Sequence, residues 1–413
     1  MKYLAFALTF SFGFSAFPHG TQPIHLDLEA RASEYTSLQP PRDLTSDLDP
    51  ILTIGLKNLA WLTHINSKRA EPLSFSSKET QHGIPIEKPM IYNTEIIQKS
   101  YDDLLATLPK EMTDVLIGNS PQTDTPPIDT TQYLNFGRLI DTIYQTTVRW
   151  NSMKKYLVLL ADLKLDDVRG YYFLNADTNL NDELKSWSTL DSARRAQLTD
   201  WLTQICANTD KDLDSCTQKV SNLSKEADLH AFYDHYFPEA KSHWDSYFTL
   251  ENIRKDVTYE TPSLMTVPFQ DPGDKTIAAF LKSNIEDEWH WLDWHLIINF
   301  ASRALTHIEF AAGQVPHVNG VGGNIITMDE NSPLTEYNVQ WAIRHEYGHT
   351  LGFQDCYIEF YDTGRAAIVS YQFDTMNLMC SRQGHLKETH YLALKQNYMK
   401  DYVSRSNSFL IWR

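Results

Sequence analysis

The run His345-Glu346-Tyr347-Gly348-His349-Thr350-Leu351-Gly352-Phe353-Gln354-Asp355 has the form H-E-x-x-H-x-x-G-x-x-D. Residues four apart on a helix share a face, so His345 and His349 are placed to hold one metal ion between them. Glu346 sits beside that face, where it can take a proton from a water on the ion and act as general base. Gly352 tolerates the positive φ that ends a helix, which lets the chain turn back and offer Asp355 as a third ligand. Two imidazoles, one carboxylate and an open fourth position favour zinc (Zn2+) over other divalent ions. Such an ion lowers the pKa of a bound water from about 16 to about 7 and polarises a carbonyl, so the expected chemistry is hydrolysis of a peptide bond. By chance, H-E-x-x-H arises in about one chain of this length in a hundred, and the G-x-x-D extension lowers that to roughly one in ten thousand. Glu388 is a rival third ligand on a later helix, but Gly352 supplies the turn that the nearer Asp355 requires.

These residues need a scaffold. From about 257 the chain reads as a strand (264–269), a helix (274–289), strands at 294–301, 306–313 and 323–330, and then a long helix over 331–352. Ser332 is the expected cap of that helix and Pro333 its first residue. A strand–helix–strand–strand–strand–helix order predicts an α/β (α+β) domain with a mixed sheet and the metal helix packed on it. Residues 17–256 read as mostly helical. A helix over 47–69 has Asp47 or Asp49 as cap, Pro50 in its first turn and Ile51, Ile54, Leu56, Leu59 and Leu62 on one stripe. Helical patterns follow at 94–109, 133–150 and 191–208, with the aromatic run 170–174 read as a short strand. The polar, proline-rich stretch 119–131 is the best linker candidate.

The motif and its surroundings resemble the metzincin clan of zinc endopeptidases over roughly 257–413, and in carrying Asp at the third ligand position they resemble the snapalysin-type members. The resemblance implies that His345, His349 and Asp355 bind zinc and that Glu346 is the base. It implies a tight methionine turn in DTMNLMCSRQG (374–384), with Met379 as an apolar floor under the metal and Met376 as the alternative. It also implies an edge strand at Gly323, Asn324, Ile325 and Ile326, along which an extended substrate pairs through its backbone. Some clan members place a tyrosine two residues after the turn methionine; here that residue is Ser381. His385, Tyr357 and Tyr391 remain as candidates to stabilise an oxyanion. The family's usual pro-segment cysteine latch has no counterpart, so an inhibitory N-terminal region would need another group.

The chain has 413 residues and a formal net charge of −17. That length predicts two or three domains, and that charge argues against nucleic-acid binding and against polybasic membrane contact. Residues 1–16 read as a signal peptide, with Lys2 followed by an apolar run too short to span a bilayer, so a secreted or periplasmic location is expected. No later segment reaches membrane-helix length, and no residue pattern specifies an oligomeric state. Four cysteines in an oxidising compartment pair in three ways, of which sequence proximity favours Cys206–Cys216 with Cys356–Cys380. The latter would tie Asp355 to Met379. The leading expectation is a secreted zinc endopeptidase acting on proteins or peptides. A secreted binding or inhibitory protein whose helical region is the working part, with an inactive or structural metal site, is the second, and an amidase acting on cell-wall peptides a third.

Overall fold

The computed structural model describes residues 48–68, 84–223 and 225–400, so the expected leader 1–16 and the stretch to 47 lie outside it. Helix α1 (Asp49–Ser67) has Pro50 in its first turn. Leu48 stands at the cap position without a side-chain bond; Asp49 lies inside the first turn, where it meets the positive end of the helix dipole, and Asp47 is outside the described residues. Ile51, Ile54, Leu59, Leu62 and Ile65 form the buried stripe, whereas Leu56, expected on it, is exposed. Strand β1 (Met90–Tyr92) leads into α2 (Thr94–Thr107), whose cap Asn93 accepts from the Ile96 amide at 2.9 Å. After α3 (Lys110–Leu116), the proline-rich stretch lies along α1: Trp61 donates to the Thr123 carbonyl at 2.7 Å and Gln122 to the Lys57 carbonyl at 3.1 Å. Helix α4 (Thr130–Met153) starts at Asp129, which accepts from the Thr131 amide, and packs on α1 and α2.

Helix α5 (Leu157–Asp162) still belongs to the core of α1 and α4, burying Leu157, Leu159 and Leu160 there. A second helical core follows, built from α6 (Arg169–Ala176), α7 (Leu180–Lys185), α8 (Ser192–Asp210), α9 (Leu213–Ser221) and α10 (Glu226–Ser246). Helix α6 includes the aromatic run expected as a strand. Tyr171 and Leu174, three apart, are buried in one core with Trp201 and Leu202 of α8, and packing at helical spacing overrides the strand preference of its aromatics. The Cys206–Cys216 disulfide joins α8 to α9.

The rest of the chain is mixed α and β. Strands β2 (Thr258–Thr261) and β3 (Leu264–Gln270) pair antiparallel, and β3 runs parallel to β5 (Trp294–Ala301) through a crossover made by α11 (Lys275–Glu288) and the short β4 (His290–Trp291). Burial alternates as the strand period demands, with Met265, Val267 and Phe269 inside beside Trp294, Leu296 and Ile298. A second sheet orders β6 (His307–Ala311), β8 (Ile325–Asp329) and β7 (His317–Val318), with β8 in the middle. Helix α12 (Tyr337–Thr350) covers that sheet. It begins later than expected: residues 332–336 form a turn in which Glu336 donates its amide to the Pro333 carbonyl, and Glu336 takes the cap position. Strands β9 (Tyr357–Asp362) and β10 (Ala367–Gln372) then form a hairpin, and α13 (Glu388–Tyr398) is the last described element.

The hairpin that follows α12 is tied to the helical region. Strand β1 pairs antiparallel with β10, setting Ile91 opposite Val369. Glu359 of β9 is fully buried and takes a bidentate bond from Arg149 of α4 as well as the Tyr92 hydroxyl. Tyr361 and Ile368 belong to the same apolar core as α1 and α4. Residues before and after 257 thus share one buried ion pair, one sheet and one core. Among the described residues, no helix is long and apolar enough to cross a membrane.

Candidate metal centre

Helix α12 carries His345, Glu346 and His349 and ends where Gly352 adopts φ +94°. A side chain at 352 would be strained by that φ, and a Cβ there would lie 2.3 Å from the Glu251 carbonyl. The reversal delivers Asp355. Its Oδ1 lies 3.0 Å from His345 Nε2 and 3.1 Å from His349 Nε2, and the two Nε2 atoms are 3.2 Å apart. The Nδ1 of His345 donates to the Leu378 carbonyl at 2.7 Å, and the Nδ1 of His349 to the Phe353 carbonyl at 2.8 Å. Those bonds assign the protons to Nδ1, which leaves both Nε2 lone pairs facing one carboxylate oxygen.

Three acceptors converging at about 3 Å repel one another unless a positive charge sits among them. Without an ion, that charge is a proton. Burial pulls His349 down, but the Asp355 carboxylate outweighs it and pushes the imidazole up to about 9. Burial raises Asp355 too, yet the two imidazoles hold it well below the usual carboxylate range, while burial keeps His345 below its ordinary value. The donor set therefore fits a divalent ion: two imidazole nitrogens and one carboxylate oxygen, already oriented, with Asp355 Oδ2 and Glu346 Oε2 buried and unpartnered. The cluster Cys206, Asp210 and Cys216 is no second such site, because its sulfurs are joined in a disulfide.

Glu346 is fully buried beside His349, with its Oε2 4.0 Å from His349 Nε2. Burial pushes its carboxyl up to about 8, against the pull of Arg382, whose Nη2 donates to Glu346 Oε1 at 2.7 Å. Arg382 is itself buried, and burial draws its guanidinium down to about 10.

Met379 lies directly under α12: a Cβ on Gly348 would be 2.4 Å from its sulfur. It is buried whereas Met376 is exposed, so Met379 is the methionine beneath the site. The Cys356–Cys380 bridge, with Cα atoms 4.2 Å apart, clamps the residue after Asp355 to the residue after Met379, and the Cys356 amide donates to the Met379 carbonyl. Both disulfides have the pairing that sequence proximity favours. Glu388 is exposed and outside the ligand cluster. Of the three oxyanion candidates, Tyr357 is at the site, its ring 6.5 Å from that of His345 and its hydroxyl buried without a partner. His385 instead contacts Glu288 at 3.3 Å, and Tyr391 packs on Trp294.

The expectation of a free edge at Gly323, Asn324, Ile325 and Ile326 is overturned. Parallel β6 lines one side of β8, and the antiparallel segment 317–319 occupies the other, with Val318 opposite Ile326. The Gly323 amide donates to the Gly320 carbonyl, and the Asn324 and Ile325 amides donate to Asn319 Oδ1. The long connection between β6 and β8 folds back on its own strand, a pairing no local motif announces. Arg382 and the Arg149–Glu359 pair also escaped the sequence reading. Arg382 bridges positions 36 and 66 residues away, and the pair spans 210. The one sequence signal is that Arg382 is the single basic residue of the 374–384 turn, three residues past Met379. No protein-family profile, curated protein or solved structure matches the chain.

Proposed function

We propose that this chain is a zinc-dependent endopeptidase of metzincin-like type with aspartate as third ligand. The observation that carries the reading is the convergence of His345 Nε2, His349 Nε2 and Asp355 Oδ1 within 3.2 Å, beside a buried glutamate with one unpartnered oxygen. His345, His349 and Asp355 would hold the zinc, which when bound supplies Lewis acidity to a carbonyl and acidifies water. Glu346 accepts the water's proton at Oε2, the oxygen Arg382 leaves free, and returns it to the leaving amine. Arg382 fixes the carboxylate through Oε1. Met379 and the Cys356–Cys380 clip hold the Asp355 loop against the helix. The two disulfides and the apolar N-terminal run support an exported protein whose substrates are proteins or peptides.

The enclosure of the site favours a second reading. His345, Glu346 and His349 are at most 1% exposed and Asp355 8%, as in a structural metal site of a binding or inhibitory protein. Glu346→Gln in the full-length protein separates the two. The peptidase reading predicts unchanged zinc content with hydrolysis of casein reduced by at least 10²-fold, on the order of losing a general base. Zinc-loaded wild type that leaves casein intact would favour the binding protein.

A further inference from the structure

Arg382 makes two bonds from one nitrogen, and the pair of acceptors is informative. Nη2 donates to Glu346 Oε1 at 2.7 Å and to the backbone carbonyl of Pro316 at 3.0 Å. The residue is 5% exposed, and its Nε is buried with no partner. A buried guanidinium therefore stands between the general base and a peptide carbonyl, with donor capacity unspent. Pro316 immediately precedes β7, the two-residue strand lying antiparallel on β8. The peptide at 316 thus stands at the mouth of that short strand beside α12, with its carbonyl held by Arg382. Among the described residues Arg382 makes the one side-chain hydrogen bond to Glu346, His349 standing 4.0 Å away, and Ser381 leaves no tyrosine at the neighbouring turn position.

We propose that Arg382 is a further catalytic residue: it binds the carbonyl oxygen of the scissile peptide, and the Pro316 carbonyl fills that place until substrate displaces it. The assignment rests on the peptidase reading above. As water oxygen bonds to the carbonyl carbon, one water proton goes to Glu346 and the carbonyl oxygen gains negative charge. Arg382 keeps its protons and strengthens its hydrogen bonds to that oxygen. When the carbon–nitrogen bond breaks, the proton on Glu346 passes to the amine and the oxygen returns to a carbonyl. A guanidinium suits this role because its fork of fixed donors can serve a carboxylate and a carbonyl at once.

The test uses the full-length zinc-loaded protein, a peptide spanning a casein bond that the wild type cleaves, and the same peptide with a phosphinate replacing that bond. Arg382→Gln should keep its zinc and its folded circular-dichroism spectrum at the assay temperature, with a lowered thermal midpoint, leave KM within about threefold, and lose about 10²–10³-fold in kcat, the usual cost of an oxyanion donor. Calorimetric affinity for the phosphinate should fall by a similar factor, and Arg382→Lys should recover part of both. Tyr357→Phe should change neither by more than a few-fold. A crystal structure of the wild type with the phosphinate should show Arg382 on a phosphinate oxygen and the Pro316 carbonyl displaced. Arg382 still bound to Pro316 beside a seated phosphinate would overturn the assignment even if the variants fail to fold. Unchanged kcat and phosphinate affinity in Arg382→Gln, or the loss moving to Tyr357→Phe, would overturn it while leaving the peptidase intact. Wild type that holds zinc but neither cleaves the peptide nor binds the phosphinate would overturn the peptidase reading, and the role of Arg382 with it.

Discussion

Asp355 concentrates the chemistry of the site because one of its oxygens faces both histidines while the other has no partner. Asp355→Ala removes the proposed third ligand and the charge that holds His349 high. The variant should lose bound zinc after dialysis against a weak chelator that leaves the wild type loaded, as metal analysis of both samples would reveal. Full retention would return Glu388 or another group to consideration. Most of this centre was readable from the sequence because its parts are local: two histidines one turn apart, a glycine at the turn, and cysteines next to Asp355 and Met379. Arg382 was not readable, since nothing but the fold places residue 382 against residues 316 and 346.

At the scale of elements, the hairpin of β9 and β10 carries the strand that follows Asp355, and its footing lies in the helical region. Arg149 of α4 neutralises Glu359 of β9 with both groups out of water. Arg149→Met strands a buried carboxylate and should cost about 3–5 kcal/mol in urea unfolding, whereas pairing it with Glu359→Leu should recover much of the loss. A second contact, between α4 and the first turn of α12, sets up a pH effect. Burial, with Glu336 nearby, pushes Asp141 up to about 7, and Asn338 donates to it at 2.8 Å. Its folded pKa lies above the unfolded value, so the native state holds more protons between about pH 4 and 7, and stability falls as pH rises through that window. The slope contributed is at most about 1.4 kcal/mol per pH unit. Asp141→Asn should flatten it, with equal stability at pH 4 and a gain over wild type at pH 8; parallel curves would show that Asp141 ionises normally. The strand alternation in β3 and β5 was legible because each buries one face. The helix at Arg169–Ala176 was not, because the α8 side chains that fix its spacing lie about thirty residues further along the chain.

For the whole molecule, the change from helical to strand patterns near 257 marks where all strands but β1 begin, yet the buried contacts run across it. β1 completes the hairpin sheet, Tyr92 and Arg149 satisfy Glu359, and the core of α1 and α4 includes Tyr361 and Ile368. A 257–413 fragment would expose all of these and leave Glu359 unpaired, so it should be recovered unfolded, with dispersed amide signals absent from its NMR spectrum. A well-folded fragment would show that the helices merely lean on the hairpin. The same connectivity bears on activity, because any removal of the helical region takes β1 from the sheet that positions the Asp355 loop. The most direct test of the central claim is casein cleavage by the full-length protein before chelation, after it, and after zinc is restored. Cleavage should be lost with the metal and return with it. Cleavage indifferent to the chelator, or none from protein carrying one zinc per chain, would contradict the claim.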